Sequence, residues 1–569
     1  MIGRRYARRV LCLGGAVLVF MGAALTSLPN QPARAADQTT AESDEPATSG
    51  GPPAFRRLNE TQYVRSIEQI FGAGVRVPGR FEPPLRQDGL MAIGDGVVAV
   101  SPSGIEQYEL RAREISSQVL APEHRASVLT CPPPSPATFD RSCASEFFRK
   151  YGRLLFRRPL TDGELASVVG VASAAAGRSD FPTGMQAGLS RLLVSPNFIF
   201  RVESAEPNPA ISGAGRLDEY SLASRISFLL WDAPPDDQLL DAAAKGGLRD
   251  DAELARQVDR MIASPRLEQG VRSFFSDMFG YEQFNGLAKD PAIFPKFNAQ
   301  LAKDAQEQTL RTIVDLLVVR KGDYRDLFTT RSTFINRNLG ALYKVPVDEA
   351  GMDGWAPHVF GPDEPRGGIL ALAAFLMLDP THEGRSSPTI RGKMIRELLL
   401  CQPVPMPPPN VNFAAVQDVH NPLFRTARQR LQVHQSNPVC AGCHALTDPI
   451  GLSIENYDAI GNYRTSENDS LIDASGRFDG KAYKGLDGFA QLLHDSPDVP
   501  LCAVKRVYEY GVGRAMAAGE DRWLEHTTEL FARDKYQFPA LLRRVALSRA
   551  FRTVAQQKQP SPGVVTAAR

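Results

Sequence analysis

The stretch Cys440-Ala441-Gly442-Cys443-His444 puts two thiols and an imidazole within five residues. Two cysteines at this spacing can each add to a vinyl group of one haem. A histidine that follows at once can reach the iron from the same turn, so C-x-x-C-H reads as a c-type haem attachment site. Zinc is the main rival, but a closed zinc site needs four nitrogen or sulfur ligands. No second C-x-x-C occurs, and Cys401, Cys502 and His434 could complete such a set only at awkward spacing. A redox dithiol would want a thioredoxin-like βαβ context, which is absent here. The expectation is therefore one covalent haem c, with its iron, attached through Cys440 and Cys443 and ligated on the proximal side by His444.

The second side of that iron is left open by the sequence. His434, Met406 and Met516 are the candidates for a distal ligand, and an open position would permit small-ligand or peroxide chemistry. The proximal imidazole needs an acceptor for its other nitrogen; the backbone near Asp448-Pro449 is close enough in sequence to supply one. Arg391, next to Lys393 in "SSPTIRGK", and Arg464 are candidate partners for the haem propionates. Elsewhere, Asp232, Asp236 and Asp237 in "WDAPPDDQLL" could form the paired carboxylates of a glycosidase. Capping of a helix start explains Pro-Asp at this position more simply.

The elements that position the motif are helical. Asn421-Pro422 predicts a helix start, with Asn as cap and Pro in the first turn. Leu423, Ala427, Leu431 and His434 then share one face, and Pro438 is expected to stop the helix just before Cys440. Further upstream, "RRLNETQYVRSIEQIFG" predicts a helix capped by Asn59 and ended by Gly72. "SEFFRKYGRLLFRRPLTDGELASVVG" predicts two helices broken at Pro159, the second capped by Thr161. Strand-like alternation is scarce and no repeat period appears. A mainly α, multi-domain helical protein with a C-terminal cytochrome c-like haem region is expected.

The ends of the chain bear on where it works. Arg4, Arg5, Arg8 and Arg9 precede the apolar run from Val10 to Leu28, and Ala33-Arg34-Ala35 offers a small-x-small cleavage site. This pattern predicts a signal peptide over 1–35, hence export to the periplasm or cell surface, with no transmembrane segment after cleavage. Residues 36–53 carry almost nothing apolar and predict a disordered linker. An exported chain matures where disulfides form. Setting aside Cys12 and the Cys440/Cys443 pair leaves Cys131, Cys143, Cys401 and Cys502. Three pairings are possible; the local pair Cys131/Cys143 and the long-range pair Cys401/Cys502 are the favoured ones. The 65 basic and 64 acidic residues give a net charge of +1, without the basic excess of a nucleic-acid binder.

Taken in order, the predicted modules are 54–118 (N-terminal, helical), 128–205 (helical, with Cys131 and Cys143), 214–348 (long, helical), 364–466 (haem attachment) and 470–555 (C-terminal, helical). In these segments the chain resembles a family of large secreted proteins of planctomycetes and related bacteria. That family is known as a string of domains of unknown function, often beside planctomycete-type cytochrome c domains. "FRRLNETQYVRSIEQIFG" resembles its opening module; "FRRPLTDGELA" and "RLLVSPNFIFRVE" the next; "RLDEYSLASRISFLLWDAPPDDQLLDAA" and "FINRNLGALYKVP" the long one. "RGGILALAAFLM", "SSPTIRGKMIRELLLCQPVPMPPPNV" and "CAGCHALTDPIGLSIENYDAIGNYR" resemble the fourth, and "IDASGRFDG" with "VKRVYEYGVGRAM" the last. The family often has Met shortly after the haem histidine, where this chain has Leu446-Thr447; that position is too close to His444 to ligate the opposite face.

The resemblance implies an exported, cytochrome-like protein and supplies no substrate. The expected function is periplasmic electron transfer, or haem-dependent oxidation of an unknown small-molecule or polymer substrate, with a redox partner protein or another cytochrome. Whether the chain is itself the oxidoreductase or only the carrier is open. The alternative is a periplasmic or cell-surface scaffold in which haem, or zinc, is structural.

Overall fold

In the first helix, α1 (Glu60–Phe71), the Asn59 side chain accepts the Gln62 amide and Gly72 ends the run at φ 96°, as the sequence predicts. Tyr63 and Ile67 are fully buried on its inner face. α2 (Pro102–Val119) starts on a Ser101 cap with Pro in the first turn. α3 (Arg141–Phe156) and α4 (Asp162–Ala176) are separated at Pro159, and Thr161 with Glu164 forms a complete capping box for α4; each side chain satisfies an amide that the helix leaves open. α5 (Phe181–Leu193) packs on α2 and α4. These helices enclose a first hydrophobic core that includes Tyr63, Phe148, Leu189 and Phe198.

The second core is larger and takes residues from Leu90 to Val554. Its central helix, α6 (Glu219–Trp231), is buried on nearly every face, its Arg225 held inside by the buried Glu203. Around it lie α7 (Leu267–Met278) and α8 (Ala299–Val314). The haem-motif region adds α9 (Pro388–Met394), α10 (Ala427–Gln435) and α11 (Pro438–Leu452). α12 (Asp498–Val512) and α13 (Phe538–Leu547) complete it.

Strands are short, and all pairings among the described residues are antiparallel. β1 (Phe55–Arg57) pairs with β2 (Phe200–Val202), and β3 (Ala205–Pro207) with β4 (Ala214–Leu217). β5 (Ser332–Ile335) pairs with β6 (Ala356–Val359), so the Gly/Pro/Asp-rich stretch after residue 350 folds back on the preceding module. β7 (Ser466–Glu467) with β8 (Ser470–Leu471), and β9 (Ser475–Phe478) with β10 (Lys481–Lys484), are hairpins just after the motif. β11 (Thr553–Ala555) closes on β4.

This computed structural model describes residues 45–131, 138–209, 211, 214–347, 350–378, 385–406, 416, 418–436 and 438–556. The predicted signal peptide and residues 36–44 lie outside the described residues. The expectation of a disordered linker up to residue 53 is corrected for its second half. Glu45 accepts the Arg549 and Ala550 amides, and Gly51 accepts the Ala555 amide at 2.7 Å. The apolar-poor segment is held by hydrogen bonds from backbone amides to the Glu45 carboxylate and the Gly51 carbonyl, which a reading of hydrophobicity does not register. Both expected disulfides are present, Cys131–Cys143 and Cys401–Cys502. No helix among the described residues is long and apolar enough to cross a membrane.

Candidate haem-attachment site

The motif lies within a helix. The expected helix start at Asn421 is corrected: the Asn421 side chain accepts the Leu423 and Phe424 amides at 3.0 and 3.2 Å, closing an Asx turn. The helix begins six residues later, where Thr426 and Gln429 form a capping box and Glu467 accepts the Ala427 amide at 2.7 Å. Leu423 is therefore off the buried face and exposed, while Leu431 and His434 are buried. Pro438 ends nothing. It is the first residue of α11, a position where a missing N–H costs no hydrogen bond. Cys440 follows in its first turn, and Cys443 and His444 lie side by side one turn on.

α11 is set against α9 by two glycines. A Cβ at Gly392 would lie 1.9 Å from the Thr447 carbonyl oxygen, and one at Gly451 would lie 1.7 Å from that of Pro388. Neither contact admits a side chain, so the helix backbones touch. This approach brings Thr389 of α9 to the polar end of the site.

A buried carboxylate organises that end. His444 Nδ1 donates to Asp448 Oδ2 at 2.8 Å. Thr389 Oγ1 donates to Asp448 Oδ1 at 2.8 Å, and Gln435 Nε2 donates to Oδ2 at 2.7 Å. Asp448 is 1% exposed, so these donors replace its water. The acceptor for the imidazole is the Asp448 side chain one turn on, where the backbone was expected. With Nδ1–H held by the carboxylate, the Nε2 lone pair is the one left for a metal; a carboxylate–histidine pair of this kind fixes the ring and raises its basicity.

Among the described residues, Cys440 and Cys443 are the free thiols, and the other four described cysteines are joined in disulfides. Cys401 and Cys502 are bonded to each other and cannot complete a zinc set. The described residues, the motif included, contain no group of three or more His, Cys, Asp or Glu arranged to hold a metal ion. Nothing lies within 4 Å of the Cβ position at Gly442, so the turn between the two thiols faces open space. The residues present fit covalent haem in kind: two unbonded thiols one turn apart, Cys440 buried and Cys443 part-exposed, with an oriented imidazole beside them.

Of the three distal candidates, the fold brings one to the site. The His434 ring, at the end of α10, stands 4.7 Å from the His444 ring, centroid to centroid, at 69°. Burial, and next the proximity of His444, lower the His434 pKa, favouring the neutral imidazole that can ligate a metal. Met406 is exposed, 4.0 Å from Lys393 Nζ. Met516 packs against the large core, its amide on Glu509.

The two arginines expected at the propionates are engaged elsewhere. Arg391 is buried and donates to the carbonyls of Tyr457 and Asp458 at 2.7 Å, and to those of Ile454 and Leu376 at 3.3 Å. It clamps the chain that leaves α11 back onto α9. With these carbonyls as partners, Arg391 acts as a structural brace between α9 and the chain that follows α11. Arg464 is bound to the buried Glu455 and serves the same brace from its other end.

The acids of "WDAPPDDQLL" do not form a catalytic pair. Asp236 caps the next helix through the Leu239 amide and pairs with Arg260, and Asp237 is exposed beside Arg153. Asp232 turns inward, at φ 48°, accepting from Gln62 and Tyr510. A set of buried carboxylates that the sequence reading missed surrounds it. Asp277 accepts the Met91 and Ala92 amides. Burial, with Asp277's charge next, pushes the Asp95 carboxyl up to about 7. No local motif marks these three residues; they meet only because their helices do.

Four family models match the chain in order, each described only as a protein of unknown function. They are DUF1595 over residues 143–203, DUF1592 over 217–345, DUF1588 over 366–467 and DUF1585 over 479–551. The Cys440–His444 motif lies inside the third. No curated protein and no solved structure matches.

Proposed function

We propose that the chain built on these four modules carries one haem c, which Cys440 and Cys443 would attach and His444 would ligate, with His434 the nearby candidate for a second ligand once its ring moves off that of His444. When bound, such a haem supplies a reversible one-electron couple. The protein would use it for electron transfer outside the cytoplasm, passing electrons to or from a redox partner. The observation that carries this reading is the Asp448–His444 pair on the helix that also holds the two free thiols found among the described residues. Asp448 fixes the imidazole, Thr389 and Gln435 fix Asp448, and α9 keeps water from that carboxylate. The two disulfides fit an oxidising compartment.

The test of electron transfer is spectroelectrochemistry on the full-length exported protein, produced with c-type maturation machinery. The reading expects a low-spin six-coordinate spectrum and fast, reversible reduction. His434→Ala should retain covalent haem and turn the ferric spectrum high-spin. A bound haem that does not cycle would instead favour the scaffold role. An unchanged spectrum in His434→Ala would remove His434 from the iron.

A further inference from the structure

The segment that supports Asp448 also lines a cavity that the haem reading does not use. From Thr389 it runs on through Met394, Glu397 and Leu398 into the wall of a cavity of about 490 Å3, within the size range of small-molecule sites. Three cationic groups (Arg86, Lys505, Arg506) and three anionic groups (Asp88, Glu397, Glu509) line it. The balance argues against a simple anion or cation as its occupant.

These groups are unequally engaged. Arg86 is held by two hydrogen bonds to Glu282, at 2.9 and 2.7 Å. Glu509 accepts from the Met516 amide and from Arg506. Arg506 is 7% exposed and donates to the Asp88 and Glu397 carbonyls, but its Nε is buried without an acceptor among the described residues. A Cβ at Gly89, where φ is +82°, would lie 2.8 Å from the Arg506 guanidinium; a side chain there would push that guanidinium aside. Lys505 Nζ is 4.0 Å from Glu509. The Asp88 carboxylate accepts no hydrogen bond among the described residues, and it is exposed to the cavity. The wall thus offers the Arg506 guanidinium and the Lys505 ammonium, the Asp88 carboxylate, and apolar surface from Phe279, Met394 and Leu398.

We propose that this cavity binds a small zwitterion of the α-amino-acid class, its carboxylate on Arg506 and Lys505, its ammonium on Asp88 and its apolar side chain against Phe279 and Leu398. A lone anion would face Asp88, and a neutral polyol would leave the opposed charges unpaired. Isothermal titration of the full-length protein with L-leucine, L-methionine and L-phenylalanine tests this. L-leucine methyl ester and N-acetyl-L-leucine each remove one charge, and glucose and inorganic phosphate serve as the competing chemistries. Saturable binding of a free amino acid is expected. Each derivative of leucine, and each of Asp88→Asn and Lys505→Gln, should bind about tenfold more weakly or worse, as loss of a charge-assisted contact implies. The proposal is overturned if none of the three amino acids binds, if the ester or the acetyl form binds as well as leucine, if glucose or phosphate is preferred, or if both variants bind like the parent.

Discussion

Asp448 is the residue on which the site geometry depends, and its effect on the iron has a definite sign. A carboxylate accepting from the far nitrogen of a ligating imidazole makes the ring more basic and favours the more oxidised metal. Asp448→Asn keeps the shape and removes that charge, so the midpoint potential should rise; a potentiometric titration followed optically would read it. The sequence holds a signal for this pair that reading by motif passes over: His and Asp four apart on a helix share a face. Pro438 reads from the sequence as a helix stop, yet it opens α11 and so puts His444 and Asp448 on one helix.

Asp95 gives a second prediction at this scale. Its folded-state pKa, about 7, lies above the ordinary carboxylate value because it is buried beside Asp277. The native state therefore holds a proton that the unfolded chain releases at lower pH. Stability should fall as pH rises from about 4 to about 7, at up to about 1.4 kcal/mol per pH unit from this group. Asp95→Asn should flatten that slope and leave the protein more stable at pH 8 relative to the parent. Urea unfolding at pH 5 and pH 8 measures it; an unchanged slope would mean that Asp95 is charged at no cost.

At the scale of elements, the contact between α9 and α11 holds the site together. Gly451→Ala would drive a methyl group into the Pro388 carbonyl. Overpacking of this kind costs about 1–3 kcal/mol, and the displacement should also loosen the Thr389–Asp448 contact. Thermal unfolding would show the loss of stability, and altered ferric spectra would show the loosened site. A surface control such as Gly170→Ala in α4, whose Cβ meets nothing within 4 Å, should leave stability within a few tenths of a kcal/mol of the helix-propensity change. Helix ends set by local chemistry were legible: Asn59, Gly72 and Thr161 cap as the sequence indicates. Asn421 misled because the same side chain closes an Asx turn as readily as it caps a helix. The β5–β6 pairing and the glycine contacts were not legible, since each depends on a distant segment.

For the whole molecule, the long-range disulfide encloses the motif. Cys401 and Cys502 are 101 residues apart in sequence, with Cys440, Cys443 and His444 between them. Closing a loop of that length restricts the unfolded chain, and removing such a bridge costs about 2–5 kcal/mol. The Cys401→Ser, Cys502→Ser double variant should lower the unfolding midpoint correspondingly, in chemical denaturation of protein made in an oxidising compartment. Cysteine arithmetic made both bridges legible, because export and an even number of remaining cysteines constrain the pairing. The two shared cores were not legible, because residues as far apart as Leu90 and Val554 join one core. The buried acids at Asp95, Asp232 and Asp277 were hidden for the same reason.

The central claim is that Cys440 and Cys443 hold haem covalently. It is tested most directly by a haem stain on a denaturing gel of the full-length protein, exported in the presence of c-type maturation machinery, beside Cys440→Ala, Cys443→Ala and the double variant. The account predicts a stained band at the size of the folded, soluble wild-type chain and no stain in the double variant. A folded, exported wild-type protein that carries no covalent haem would contradict it.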